Sequence, residues 1–359
     1  MEKKTPLYQK HLDSQGKIVP FAGYLLPVQY PAGVIAEHMA VRQKVGMFDV
    51  SHMGEALLEG PDAEENLNRI LTNSFTGMAV GAARYSLMLY PNGGQVDDLI
   101  VYKQGEQRFF IVLNASNAEK DVAWLREHIF GNVTLTDLSA LTAQIALQGP
   151  ESKAIIAQLC DTAQLPQKYY TFTEKMLVAG VECMVSRTGY TGEFGYELYM
   201  APAQAGKVWD AFLAAGVQPC GLGCRDTLRL EAAMPLYGHE LGETVNPLAA
   251  GLGFVIKMDK PDFIGKDALI EQGEPTRIRV GLQVTGRGVI REHEPIMVDG
   301  KEVGETTSGT HCPFLGVGCA MAYLDCAYTQ PDTAVEVLVR GRAVAAKVVP
   351  LPFYKAPKK

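Results

Sequence analysis

Arg187-Thr188-Gly189-Tyr190-Thr191-Gly192-Glu193-Phe194-Gly195-Tyr196-Glu197 threads three glycines, spaced three apart, with two tyrosines and two glutamates. A dinucleotide-binding loop reads G-x-G-x-x-G and opens a helix. Here the spacing is G-x-x-G-x-x-G, with an apolar strand-like run before it at 182–186 and another after it at 196–201. The segment therefore predicts a turn between strands rather than a phosphate cradle. Glycine allows tight turns and close approach by a ligand, Tyr190 offers a flat face and Glu197 a carboxylate. That set suits a planar, amine-rich organic ligand; a glycine-rich turn flanked by core aromatics is the other reading.

Upstream, the spacing of Val34, His38, Val41 and Val45 predicts a helix over 33–45, stopped by Gly46. Asp62-Ala63-Glu64-Glu65 reads as a capping box ahead of Leu67, Ile70 and Leu71. Strand patterns at 82–90 and 96–102 flank Pro91-Asn92-Gly93-Gly94, where Asn-Gly predicts a tight turn, and 108–113 continues the antiparallel series. Ser116 is placed to cap a helix over 117–129. Downstream, a helix from about Asp226 closes at Pro235. After 271–275 the pattern changes to short alternating strands with Gly, Asp-Gly and Pro turns through residue 353, which predicts a small all-β domain.

A chain of 359 residues exceeds one hydrophobic core and fits about two or three domains. Its 47% hydrophobic and 20% charged content is that of a soluble globular protein. A net charge of −7 argues against nucleic acid as a partner, since phosphate binding needs clustered Lys and Arg. The longest apolar run, Cys319 to Leu324, is too short to span a bilayer, and no apolar segment follows Lys3-Lys4 to make a secretory signal. Seven cysteines without a C-x-x-C pair fit reduced thiols in a cytosol. Cys220 and Cys224 lack a completing metal ligand and read as small buried residues.

Three other segments carry chemistry-type residues. Asp97-Asp98 stands where the 92–94 turn becomes an apolar strand. Adjacent strand residues face opposite ways, so only one of the two can enter a given pocket; a pair of solvent-facing turn acids is the alternative. Arg225, at a helix start with Asp226 and Arg229 nearby, can fork onto a carboxylate or belong to a salt-bridged face. His52 reads as structural, and Met53 suits an adaptable pocket wall. G-x-S-x-G, P-loop, H-E-x-x-H and zinc-type Cys/His sets do not occur.

Taken in order, Thr5-Pro-Leu-Tyr8, Gly46-Met-Phe-Asp-Val-Ser-His-Met53, Gly93-Gly-x-x-Asp97-Asp98, Asn114-Ala-x-Asn-x-Glu-Lys-Asp121, Leu147-Gln-Gly-Pro150, Gly189-Tyr-Thr-Gly-Glu193, Arg225-Asp-x-Leu-Arg-Leu-Glu231, Leu236-Tyr-Gly238 and Thr307-Ser-Gly309 resemble the aminomethyltransferase, or T-protein, family of the glycine cleavage system over nearly the whole chain. The resemblance implies an α+β, three-lobed fold around a central funnel for tetrahydrofolate. Residues 1–50 and 135–272 would form a discontinuous folate-binding domain, 51–134 an inserted α+β domain and 273–359 a C-terminal β-barrel. It implies transfer of an aminomethyl group from the lipoyl arm of H-protein to tetrahydrofolate, releasing ammonia, with no metal and no nucleotide, in the cytoplasm. By motif, Asp97 is the catalytic acid facing the folate amines and Asp98 its outward neighbour. Glu197 would hold the pterin's amino-pyrimidinone edge, Tyr190 pack on the pterin, and Arg225 take a carboxylate of the glutamate tail. Met53, Tyr85, Val112 and Asn114 would line the cavity with Tyr169 or Tyr170. Phe254 stands where members place a tryptophan, keeping a packing contact without an indole N–H, and Phe194 replaces a common acid. A folate-dependent demethylase on the same scaffold is the competing enzyme. The folate-binding protein of iron–sulfur assembly is the non-enzymatic rival, and its Lys-Gly-Cys-Tyr-x-Gly-Gln-Glu stretch is missing here. Lys257, Lys260, Lys266, Arg277 and Arg279 are a candidate patch for an acidic carrier, or a solvated charged face.

Overall fold

In the last third of the chain, apolar residues recur at every second position: Val280, Leu282, Val284; Ala320, Ala322, Leu324; Val335, Val337; Val344, Ala346, Val348. All of them point into one buried cluster. A period of two with one wet face is the signature of a strand closed on itself. In the computed structural model, which describes residues 2–357, these strands form a closed barrel in the order Arg277–Val284, Val317–Asp325, Lys301–Cys312, Pro295–Val298, Ala334–Val339, Arg342–Val349. The last two lysines of the polar tail lie outside the described residues. The register slips between Thr306 and Ser308, placing an extra residue opposite the Val317–Asp325 strand. On a regular strand Thr307 and Ser308 would point apart. The bulge lets both hydroxyls donate to one carboxylate oxygen, Glu240 Oε1, at 2.6 Å each. Glu240 also pairs with the buried Arg229 at 3.0 Å.

The chain divides into two compact units. One holds the residues up to Leu87 with Asp98–Gly189 and Glu193–Arg225; the other holds Met88–Asp97, Tyr190–Gly192 and everything from Asp226 on, the barrel included. Within the first unit a six-stranded sheet runs in the order Phe172–Val178, Val181–Ser186, Gly195–Met200, Ala143–Gln148, Gly46–Asp49, Gln218–Pro219. Its core face is Met47, Ile145, Leu147, Val185 and Leu198 against Val208, Trp209 and Phe212 of the helix Pro202–Ala214. Each such side chain contributes about 1.5–3 kcal/mol on burial. A five-stranded sheet, in the order Ala83–Leu89, Gln95–Gly105, Arg108–Leu113, Gly54–Glu59, Thr134–Asp137, carries the Asp97-Asp98 pair. The turn before that pair forms as the sequence predicts: Gly93 sits at φ +83°, and the Gly94 N–H donates to Asn92 Oδ1 at 2.9 Å.

Two helix starts differ from expectation. Asp62 precedes the helix Ala63–Ile70 but does not cap it; its carboxylate accepts the distant Asn132 N–H at 2.6 Å. Asn117, not Ser116, occupies the cap position of Ala118–His128, and no side chain caps it. The helix expected from about Asp226 begins at Leu222 and ends at Glu231. A helix at Lys266–Gln272 and the strands Lys17–Phe21 and Tyr24–Gln29 carry no periodicity long enough to stand out in the sequence.

Candidate functional site

The glycine-rich segment is shaped by a glutamine. A Cβ on Gly189 would come within 2.1 Å of Gln148 Oε1, and one on Gly195 within 2.3 Å of Gln148 Nε2. The Gln148 amide donates to the Thr188 and Tyr196 carbonyls at 3.2 and 3.3 Å, stapling the two ends of the turn. The close approach these glycines permit is therefore made by a side chain of the protein's own core.

The turn delivers Glu197 onto the strand Gly195–Met200, where it faces Ala146, with Tyr199 opposite Gln144. Residues two apart share a face, so Glu197, Tyr199 and Gln144 converge. The Gln144 Nε2 group donates to Glu197 Oε1 at 3.0 Å and to Tyr199 Oη at 3.2 Å. Thr188 donates its hydroxyl to Glu197 Oε2. Tyr102 Oη lies 3.0 Å from Tyr199 Oη and 3.3 Å from Thr188 Oγ1. Gln144 is itself held by Ser51, which donates to its carbonyl at 3.2 Å and accepts its N–H at 3.0 Å. Burial raises the Glu197 carboxyl above its ordinary range, against the lowering effect of Thr188, Arg225 and Gln144. A carboxyl so placed holds a proton more readily than a free one, and donors from a ligand would favour its ionised form.

A second cluster surrounds Asp98. Tyr85 donates its hydroxyl to Asp98 Oδ2 at 2.8 Å, and the Asn114 amide donates to Asp98 Oδ1 at 2.9 Å and to the Asp98 carbonyl at 3.0 Å. Asp97 points to the other face of the strand, is 0% exposed and belongs to the second unit. Asp98 thus joins Tyr85 and Asn114, while Asp97, expected as the catalytic acid, faces the other side of the strand. Val112 stands opposite Ile100 and Glu55 in the same sheet. Tyr170 packs with Met53 on the cluster formed by Leu57, Tyr102, Phe110, Val112 and Tyr199. Burial, followed by Tyr169, Tyr102, Glu197 and Asp98, pushes the Tyr170 hydroxyl well up, so this ring feels both carboxyl clusters. Tyr169, the other tyrosine expected as a wall, is 45% exposed and meets Tyr170 edge-on at 4.9 Å. Its outer side lies against the Arg187 guanidinium, 5.4 Å from the ring centre.

His52 is buried beside Phe21 and Tyr24, with ring centres at 5.7 and 6.4 Å. Burial, then Arg225, lowers its pKa to about 4, and Asp49 opposes the shift; it is a neutral ring at pH 7. Arg225 is half-buried and acts electrostatically on both His52 and Glu197. In the second unit, Tyr190 donates to the Pro235 carbonyl at 2.5 Å. Phe254 lies on a short 3-10 turn and is 65% exposed. The candidate basic patch is internally engaged: Arg277 pairs with Asp325 at 2.6 Å, Arg279 donates to the Ala233 carbonyl at 3.1 Å, and Lys257 and Lys266 donate to the Phe254 and Lys260 carbonyls. Burial pulls the Lys260 ammonium down to about 8.

Among the described residues one set of metal-type ligands gathers, Glu37, Cys220 and Cys224, with ligand atoms within 4.8 Å. Glu37 already accepts the Tyr30 N–H at 2.6 Å and the Gly221 N–H at 2.9 Å. Burial pushes the Cys224 thiol well up, away from the thiolate a metal requires.

Gln144, Thr188, Tyr102 and Tyr199 escaped the sequence reading. Their only signal is a polar atom inside an otherwise apolar strand or beside a turn, which a single sequence shares with many surface positions. Together the two clusters can accept N–H groups of a flat ligand at Glu197, offer an aromatic face at Tyr170, and hold an oriented carboxylate at Asp98.

Residues 7–260 match the family model described as the GCVT N-terminal domain, and 277–355 match the glycine cleavage T-protein C-terminal barrel domain. An aminomethyltransferase from Listeria welshimeri is 48% identical over 358 residues, covering 99% of both chains. One from Bacillus mycoides is 44% identical over 363 residues with the same coverage. The crystal structure of glycine cleavage system aminomethyltransferase T from Bartonella henselae superposes with a TM-score of 0.92 at 34% identity, covering 99% of each chain.

Proposed function

The chain belongs to the glycine cleavage T-protein family and is an aminomethyltransferase, and on that premise we propose that the site of its first unit binds tetrahydrofolate and uses Asp98 in one-carbon transfer. The observation that carries this reading is the pairing of two carboxyls in one unit: Glu197 fixed by Gln144 and Thr188, and Asp98 fixed by Tyr85 and Asn114. Glu197 accepts the amino-pyrimidinone edge, Tyr170 covers a face of the ring, and Met53 and Val112 complete the apolar walls.

The donor is an aminomethyl group on sulfur, presented by the lipoyl arm of H-protein. One folate amine attacks the methylene carbon as the carbon–sulfur bond breaks with its electron pair going to sulfur, and a second folate amine attacks the same carbon as the carbon–nitrogen bond breaks and ammonia leaves. The two folate amines give up one proton each, one taken by the sulfur and one by the leaving amine, so no net redox change occurs. Positive charge grows on the carbon as sulfur departs. Asp98, oriented by the Tyr85 hydroxyl and the Asn114 amide, places its charge to meet that cation. Positioning supplies much of the remainder.

Domain limits of 1–50 with 135–272, 51–134 and 273–359 are consistent with the three main sheets, each of which lies almost wholly within one of these spans. The cytoplasm is the proposed location; the seven cysteines, all free, support it. Among the described residues no helix is long and apolar enough to cross a membrane. The test is ammonia release from aminomethylated H-protein with and without tetrahydrofolate. Folate-dependent release supports the proposal. Methyl transfer from a small sulfonium or methylated amine, with H-protein ignored, overturns it.

A further inference from the structure

Glu55 sits in the strand Gly54–Glu59, is 0% exposed, and neither of its carboxyl oxygens has a hydrogen-bond partner among the described residues. Buried carboxyls without partners are rare, because desolvation costs several kcal/mol unless something repays it. Its place in the sheet shows where it faces. Glu55 stands opposite Val112 and shares its side of the strand with Leu57, which packs on Val112, Phe110, Tyr102 and Tyr199, with Met53 and Tyr170 alongside. The other side of the strand meets the helix Ala118–His128, where a Cβ on Gly54 would come within 2.5 Å of Ala118. Glu55 thus belongs to the wall that carries the pocket residues. A second orphan acceptor faces the same region: Gln144 Oε1 has no partner either, while its Nε2 serves Glu197 and Tyr199. Each oxygen of Glu197 accepts one hydrogen bond from the protein, from Gln144 or Thr188, and keeps a lone pair for a ligand. Acceptors outnumber donors on this wall.

We propose that Glu55 is a second ligand-binding carboxyl of this pocket, accepting N–H hydrogen bonds from a nitrogen-rich ligand and giving up its own proton as it does so. The inference rests on the folate reading above. Two nitrogen sources share this chemistry, the pterin ring and the ammonia released beside it. In the free protein burial, and then Asp137 on the strand Thr134–Asp137, hold the Glu55 pKa well above the ordinary range and favour its protonated form. Tyr199 lies within electrostatic reach of it. Arg108 lies farther along the neighbouring strand, opposite Glu59, and Asp121 is carried by the helix on the opposite side of the strand. No cation among these groups holds Glu55 ionised. Donors arriving with the ligand favour the carboxylate, so one proton leaves to solvent for each ligand bound.

Calorimetry on the full chain tests this, using buffers of different ionisation enthalpy and two titrants, tetrahydrofolate and ammonium chloride. Wild-type protein should release up to one proton per ligand, and its affinity should tighten by up to tenfold per pH unit while Glu55 is protonated in the free state. Glu55→Gln should abolish most of that release and weaken binding about tenfold, whereas Glu197→Gln should leave the Glu55 proton in play. Release seen only with tetrahydrofolate assigns the pterin; release with ammonium assigns the leaving amine. Folate that binds with the same proton release in wild type and Glu55→Gln overturns this inference alone. Folate that does not bind wild-type protein at all overturns the underlying function. Should Glu55→Gln not fold, the infrared difference spectrum of the wild type decides: loss of a protonated-carboxyl band on adding ligand supports the proposal, and its persistence refutes it.

Discussion

Replacing Asp98 by asparagine removes one charge and almost no volume. The wild-type carboxylate accepts from Tyr85 at 2.8 Å and from Asn114 at 2.9 Å. An asparagine can keep its oxygen toward the Asn114 amide and turn its NH2 toward the Tyr85 hydroxyl, which rotates to accept. Two charge-assisted bonds then become two neutral ones, a folding cost of about 1–2 kcal/mol. The lost charge matters more where a cation develops. Removing a single preorganised electrostatic partner typically costs 10²–10³ in turnover, about 2.7–4 kcal/mol. Asp98→Asn is therefore expected to turn over roughly 10²- to 10³-fold more slowly, with tetrahydrofolate affinity and melting temperature little changed. The assay is methylenetetrahydrofolate formation from aminomethylated H-protein at saturating folate, beside a calorimetric Kd. Asp97→Asn is the control. Asp97 is buried on the opposite face of the strand, so its loss should appear in the melting temperature, with turnover per folded molecule within a few-fold of wild type. Normal turnover in Asp98→Asn, or a larger loss in a fully folded Asp97→Asn, would refute the assignment.

Thr188→Val deprives Glu197 of one of its two donors; folate binding should weaken by about 1–3 kcal/mol, and an unchanged Kd would remove Glu197 from the site. Arg229→Met leaves the buried Glu240 without its cation but with Thr307, Ser308 and the Leu236 N–H still donating. Urea denaturation should show a loss near the low end of the 3–5 kcal/mol expected for a broken buried pair, and a loss under 1 kcal/mol would contradict the network. His52 titrates at about 4 when folded, against 6.5 for the free side chain. The unfolded chain binds the extra proton between those values, so stability contributed at neutral pH is lost as pH falls from about 6.5 to 4, by roughly 3 kcal/mol in all. His52→Gln should flatten that limb of the stability curve relative to wild type; parallel curves would disprove the shift.

The sequence by itself determined the elements whose signals are local. The two-residue alternation from Val280 to Val348 specifies the barrel, because only one face of each strand is apolar. Asn92-Gly93 specifies its turn through the positive φ that glycine tolerates. The ordered run of family segments specified the enzyme class, and it drew attention to Glu197, Tyr85, Asn114 and Val112, which the site proposed above uses. Tertiary structure decided what depends on a partner far along the chain. Alternation says that Asp97 and Asp98 face opposite ways but not which partners each meets; tertiary structure brings Tyr85 and Asn114, 13 and 16 residues away, onto Asp98. Asp62 has the residue type of a cap, yet the Asn132 N–H, 70 residues distant, competes for its carboxylate and wins. The glycines at 189 and 195 read as room for a ligand until Gln148 fills the space. Glu55 looks in sequence like a solvent-facing acid on a strand. Only the sheet packing that buries its face beside Tyr199, with neither carboxyl oxygen bonded among the described residues, turns it into a residue awaiting a ligand.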